Sequence, residues 1–510
     1  VTTPPVGSPT EQEAFEALQR QLVDAYHVYE DMPDSEHALV VVPSMTFDRE
    51  LLEKVAGVDH YEERLLGMLC ALRRPRLKLV YCTSTRVSDT VVDYYLHLIT
   101  GVPQHHSRPR LTMVCCDDAS PVALTQKLLD RPNRIEEIRR AIAGVPSASL
   151  LVQNTTELER SLAVQLGIPL YGNPPDLDHL GHKSGSREVF REAGVDLPDG
   201  FERLRDMDDV AVALAELKGR HPELSRAVVK VEEGFSGEGN GVIGQDSVDG
   251  RSQSGRLAQV RAILPSQLRF VGDISYEQYA AKFRAMGGVV EEFIDGSNKS
   301  SPSAQGQIVP TGAVKPLSTH DQILGGADGQ VFEGSTFPAR PDYRMEIQQA
   351  GQAVGEILQE RGALGRYAVD YMVADTARGR RIAAIEINLR RGGTTHPMMT
   401  MEILTNGTYD PVTGQFLTQS ERVRTYCSTD NRRHPNYRRF SIDDFMDLMV
   451  TNHLNYDPVT ETGAVFHMLG GLSRYGKFGM TCIAEDLEQA SAMDRHITEK
   501  LNRATGVVES

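Results

Sequence analysis

IAAIEINLRRGGTTHP, Ile382 to Pro397, holds three oxygen- and nitrogen-rich positions inside an apolar run: Glu386, Asn388 and Arg390. Side chains two residues apart in an extended chain share a face. Glu386 and Asn388 therefore project together, and Ile385, Ile387 and Leu389 are expected on the opposite face, in a core. Upstream, YAVDYMV (Tyr367 to Val373) is a second apolar run, broken by Asp370. The ADTARGR between them (Ala374 to Arg380) reads as a turn, so the two runs predict a hairpin centred near Arg378. That register sets Asp370 opposite Glu386 and leaves Asn388 on the same face. Two carboxylates and an amide oxygen suit Mg²⁺, a hard cation that shares its oxygen ligands with nucleotide phosphates. A slip of one residue would turn the acids to the wrong side.

The remainder of the chain bounds the setting. Its 510 residues suffice for about two to four compact units. An excess of acid, 70 residues against 54 basic ones, argues against nucleic acid as a partner. No apolar run approaches the roughly 20 residues that cross a bilayer, so no membrane partner is expected. Six cysteines with no C-x-x-C pair read as reduced thiols in a cytoplasmic protein.

Residues 11–180 alternate strand and helix patterns, with strands at Ala38–Val42, Leu77–Cys82, Leu111–Cys115 and Leu150–Val152 and helices around Tyr61–Arg73 and Ile135–Ala143. This alternation implies an α/β unit with a mostly parallel sheet. A second unit spans 181–290 and a third, with the acid hairpin, 291–425. Residues 426–510 add strands around Val465–Leu469 and Met480–Ala484 and a terminal helix. Asp246–Gly255 reads as a surface loop.

Two lysines stand where an anion would relieve them. Lys230 interrupts the apolar run Ala227–Val231, just before a loop with Gly234, Gly237, Gly239 and Gly241. A phosphate held by the lysine and glycine-loop N–H groups is one reading, and a flexible hairpin tip with an exposed lysine the other. Lys183 precedes a short helix that ends at Gly194. Either it is solvated, or it shares an anion with the helix start. GGVVEEFIDG, Gly287 to Gly296, is a strand with an acidic end. There Glu291 and the backbone of Phe293 and Ile294 could meet an adenine edge, with Glu292 in solvent or near the ribose.

Rival motifs fail. Gly471 to Lys477 almost matches a P-loop, but Phe478 stands where a hydroxyl should hold Mg²⁺. No G-x-G-x-x-G follows the first strand, and neither H-E-x-x-H nor G-x-S-x-G occurs.

In this order, a lysine before a short helix, a lysine with a glycine loop, an acidic strand end and Asp…Glu-x-Asn, the parts over residues 175–400 resemble the ATP-grasp superfamily. The wording of VVVPSMTFDRE, QNTTELERSLAVQLGIPLYG and KVEEGFSGEGN resembles, within it, the peptide ligases of pheganomycin-type antibiotic biosynthesis. The resemblance implies an α/β protein: an N-terminal Rossmann-like pre-ATP-grasp domain (1–180), a central lid subdomain (181–290) and a C-terminal subdomain with the metal site (291–510). It implies ATP and Mg²⁺ as cofactors. Lys183, Lys230, Gly234, Phe235, Ser236, Gly237, Gly239, Glu291, Glu292, Phe293 and Ile294 would bind ATP, and Asp370, Glu386 and Asn388 the metal. Arg390 would act beside the reacting groups, and Lys315 would reach the γ-phosphate. The implied reaction activates a carboxylate, that of a guanidino-bearing amino acid, as an acyl phosphate. The amine of a peptide N-terminus then displaces phosphate. The resemblance also allows a homodimer. It supplies no base for the amine, and His396, Thr394 and Thr395 read as structural.

Overall fold

A computed structural model describes residues 4–46, 57–234, 239–270, 274–325 and 331–507. Phe235, Ser236 and Gly237 lie outside the described residues.

Five strands near the N-terminus form a parallel sheet: β1 (His37–Val42), β2 (Leu77–Thr83), β3 (Leu111–Cys115), β4 (Ala148–Val152) and β5 (Leu170–Tyr171), in the order β3-β2-β1-β4-β5. Every residue of β1 is buried, as a strand covered on both faces requires. Leu39 and Val41 enter one core, Val40 and Val42 another. The expected helix around Tyr61–Arg73 is a 3₁₀ helix from Val58 to Arg73. The helix expected over Ile135–Ala143 runs from Pro132 to Ile142.

The second sheet has β6 (Gly200–Leu204), β7 (Arg226–Val231), β8 (Asn240–Gly244), β9 (Arg269–Phe270) and β10 (Gly288–Glu292), in the order β6-β10-β7-β8-β9. Ala227, Val229, Val231 and Val290 face a core of helices. Lys230 and Glu291 therefore fall on the other face. Residues 253–255, expected in a loop, instead start the helix Gln253–Gln267, because the Ser252 hydroxyl accepts from the Gly255 N–H at 3.1 Å.

The remaining strands form one large, mostly antiparallel sheet: β11 (Ser297–Ser300), β12 (Pro302–Ile308), β13 (Val314–Gly325), β14 (Val331–Phe337), β15 (Gly365–Thr376), β16 (Gly379–Asn388), β17 (Thr408–Asp410), β18 (Gln415–Leu417), β19 (Val423–Arg433), β20 (Gly463–His467) and β21 (Lys477–Ala484). The strands after residue 425 extend this sheet through β19 and β21. Phe466 and Phe478 of these strands, with Tyr437 and Phe445 of the helices between them, share a core with Leu39, Val41 and Leu79 of the N-terminal sheet. The C-terminal segment thus covers one face of the first domain. Among the described residues, no helix is long and apolar enough to cross a membrane.

Candidate active site

β15 and β16 form the expected hairpin, with Asp370 opposite Glu386 and Ala368 opposite Asn388. Only Ala377 and Arg378 separate the strands, a shorter turn than ADTARGR suggested. Gly379 takes φ +106, a conformation that favours glycine. The Asn388 amide donates to Asp370 at 3.0 Å, and the Gln322 amide of β13 donates to its other oxygen at 2.9 Å.

One expectation about this hairpin is corrected. The register shifts between Asp370 and Tyr371, so that Tyr371 pairs Ala384 and Ile385 is an extra residue. A bulge of this kind breaks the strict alternation of faces. Ile387 and Leu389 join the large core as expected, but Ile385 packs with Ile294, Met372, Ala374 and Ala383. Met372 lies two residues from Asp370, so this apolar patch sits on the carboxylate face. The patch offers an aromatic base a surface, and Ile294 is part of it.

Burial, and next the charge of Glu386, push the Asp370 carboxyl up to about 6. Two neighbouring acids and an amide with that electrostatic demand fit a divalent oxygen-binding cation. Lys183 Nζ reaches Glu386 at 2.5 Å. Its helix, Lys183–Glu192, closes at Gly194 (φ +67), where the Val195 N–H donates back to Phe190 at 2.9 Å. The helix start already has an anion: the Glu232 carboxylate accepts from the Ser184 N–H at 2.9 Å. Lys183 is not solvated: its ammonium turns to the acid face, apart from the anion at the helix start. Gly185 makes this approach feasible, because a Cβ there would lie 2.0 Å from the His179 carbonyl oxygen.

Lys230 Nζ lies 2.6 Å from Glu291, and Arg187, one helical turn after Lys183, lies 2.8 Å from the other oxygen. Burial alone would raise the Glu291 carboxyl, but the charges of Lys230 and Arg187 outweigh it and hold it below the usual range. Glu292 is not in solvent: it takes Arg381 of β16 at 2.7 Å and the Asp199 N–H at 2.9 Å. The Phe293 N–H donates to Arg226 at 3.2 Å, and its ring lies under the Arg226 guanidinium at 3.9 Å. Gly234 and Gly239 flank the β7–β8 loop, with Gly239 at φ +90.

Arg390 lies within electrostatic reach of Glu386 and Asp370. Lys315 does not join this group. It is exposed and bonds the Tyr26 hydroxyl at 3.3 Å. It pairs Gln307, whereas Asp370 pairs Ser303, so about four strand positions, or roughly 13 Å, separate the two rows. Two hollows, of about 520 and 400 Å³, flank the Lys183 helix and are not lined by the acid pair.

Some neighbours escaped sequence reading. Arg187 carried a signal, four residues after Lys183. A buried cluster of His396, His467 and Asp430 did not, because its members come from distant segments. His467 and His396 Nε2 approach Asp430 Oδ1 at 2.7 and 3.0 Å, and Arg64 approaches Oδ2 at 2.6 Å. These side-chain atoms converge closely enough to hold a metal ion. The Arg64 charge, however, already balances Asp430, and a dication would leave the pocket with excess positive charge. Burial pushes His396 down to about 4, so it stays neutral near pH 7.

The fold and this residue set have known counterparts. The chain is 28% identical to the L-propargylglycine–L-glutamate ligase of Streptantibioticus cattleyicolor, over 91% of this chain and 94% of that one. Residues 257–412 match the "IQCH-like, ATP-grasp" family model. The chain is an ATP-grasp ligase. The class forms carbon–nitrogen bonds. Residues 444–497 match the PGM1 C-terminal domain model. The IQ motif-containing protein H of Danio rerio is 23% identical over 91% of this chain, which spans about half of that protein (48%). Two solved structures share the ATP-grasp ligase's fold at a TM-score of 0.50. They are the biotin carboxylase domain of Hydrogenobacter thermophilus 2-oxoglutarate carboxylase (13% identity, 91% of this chain, 89% of that one) and the biotin carboxylase of Campylobacter jejuni (12%, 94% and 96%).

Proposed function

We propose that this ATP-grasp ligase activates an amino-acid carboxylate as an acyl phosphate and joins it to the amine of a peptide or amino acid. The convergence of Asp370, Glu386 and Asn388 on one sheet face, with Lys183 and Arg390 against it, carries this reading. Asp370, Glu386 and Asn388 would hold Mg²⁺. When bound, it would offset the repulsion between the carboxylate and the triphosphate.

The chain's own groups supply the rest. Lys183 and Lys230 are anchored on acids now and can turn to phosphate oxygens when nucleotide enters. The carboxylate oxygen attacks the γ-phosphorus and ADP leaves. The amine then attacks the acyl carbon, phosphate leaves, and the amine gives up a proton. Arg390, beside both acids, steadies charge on the transferring group. The glycine loop after β7 would cover the anhydride, which water would hydrolyse. A guanidino-bearing donor and a peptide N-terminus as acceptor, in antibiotic assembly in a reducing cytoplasm, complete the reading. It rests on the resemblance and on the relative, whose own name joins two amino acids. A homodimer is part of the same proposal, and light scattering tests it.

Mass spectrometry of products from ATP, candidate acids and short peptides decides the matter. An amide, with ADP and phosphate in equal amounts, is expected. A stable phosphorylated compound would instead indicate a phosphotransferase, and no turnover a nucleotide-binding regulator.

A further inference from the structure

Arg391 is a buried guanidinium without an anion. It is 6% exposed, its Nη1 donates to the Val152 carbonyl, and its Nε has no hydrogen-bond partner. Its backbone is pinned as well: the Arg391 N–H donates to the Gln153 carbonyl at 3.0 Å, and the Gln153 amide donates back at 2.5 Å. No carboxylate among the described residues forms an ion pair with it. Burial, and next the charge of Arg366, push its pKa down to about 9. Arg366 reaches a carboxylate only at 3.8 Å, that of Glu402. Arg366 thus has the charges of Glu402 and Glu30 near it, whereas Arg391 has no acid in its desolvated place. Such an arrangement is unfavourable without a further anion.

The position points to a substrate anion. Arg366 precedes Asp370 by four residues on β15, so it shares the metal face, roughly 13 Å along the strand. Arg391 directly follows Arg390. The Tyr171 hydroxyl, which accepts from Gln307, feels both arginines. The two arginines therefore lie between the acid pair and the carboxyl ends of β4 and β5, where ligands of open α/β sheets bind.

We propose that Arg391 and Arg366 hold a non-reacting carboxylate of a substrate, so that one of the molecules joined is an acidic amino acid or a peptide with a free carboxylate. This rests on the ligase reading above and names a substrate class for it. The paired guanidinium groups match a carboxylate's planar oxygens. A guanidino group would meet like charge here. The carboxylate therefore belongs to the amine acceptor, on its side chain or at its C-terminus.

The test titrates L-glutamate, L-glutamine and L-glutamic acid α-amide into the protein saturated with MgADP, by calorimetry. L-Glutamate is expected to bind about tenfold or more tightly than one of the two amides, and the weaker amide names the carboxylate that is held. Arg366→Gln and Arg391→Gln should each erase that preference, and Arg391→Lys should keep part of it. MgADP affinity should change less than about threefold in all three variants. Arg366→Gln leaves the Val152 contact intact, so it answers even if Arg391→Gln disturbs the fold. Equal binding of all three compounds, binding of none, or a preference that survives both glutamine variants overturns the proposal. A wild-type protein that fails to bind MgADP overturns the ligase reading itself, and this subsite with it.

Discussion

Asp370→Asn should stabilise the metal-free protein at neutral pH while removing its metal response. The Asp370 carboxyl titrates near 6 in the fold and near 3.8 in an unfolded chain. An acid whose pKa is raised by folding favours the native state most below pH 3.8, and loses that benefit as pH rises through 6. A shift of about two units corresponds to about 3 kcal/mol lost by neutral pH. Asparagine keeps the shape without the charge. It also gives up one acceptor, because Asp370 takes amides from both Gln322 and Asn388, at about 1 kcal/mol. A net gain of about 2 kcal/mol is expected at pH 7.5, falling to a small loss at pH 3.5. Urea denaturation in EDTA at the two pH values reads it. The chain has no tryptophan, so far-UV circular dichroism is the probe. Adding MgADP should then stabilise wild type more than the variant. A variant less stable than wild type at pH 7.5 in EDTA, or equally stabilised by MgADP, would refute the electrostatic account.

Three further substitutions separate the roles. Glu386→Gln should abolish ADP release in the presence of both substrates, and wild-type turnover would remove Glu386 from the metal site. Lys230→Ala should weaken nucleotide binding about tenfold or more, with Arg187 still neutralising Glu291; unchanged affinity by calorimetry contradicts the phosphate role. Arg390→Ala should lower kcat about a hundredfold and leave nucleotide affinity within about threefold. A loss confined to affinity counts against a role in the transition state.

The hairpin was legible because its information is local: a two-residue period, a turn, and acids equidistant from Arg378. The bulge at Ile385 was not, since no residue there announces it and the pairing of β15 with β16 alone reveals the extra position. Lys183 and Lys230 stood out as awkward charges. Their present partners, Glu386 and Glu291, lie 203 and 61 positions away, and the Glu232 carboxylate that occupies the helix start lies 48 positions from Ser184. The expected loop over Asp246–Gly255 failed at its end, where Ser252 is a capping residue among turn-forming neighbours. Arg391 had no assignable role in the sequence, because its meaning depends on β4, more than two hundred residues earlier. The strands after residue 425 were visible as strands, but not their cover over β1 and β2.

That cover bears on how the chain can be taken apart. The central sheet draws its core from residues 201–290 alone, and it meets the acid hairpin largely through charged pairs such as Arg381 with Glu292. It is therefore the piece suited to swing as one body and to be excised intact. The first domain is not separable in this way. A chimera importing residues 1–180 from a relative would have to import the terminal strands as well, or leave Leu39, Val41 and Leu79 facing an alien surface.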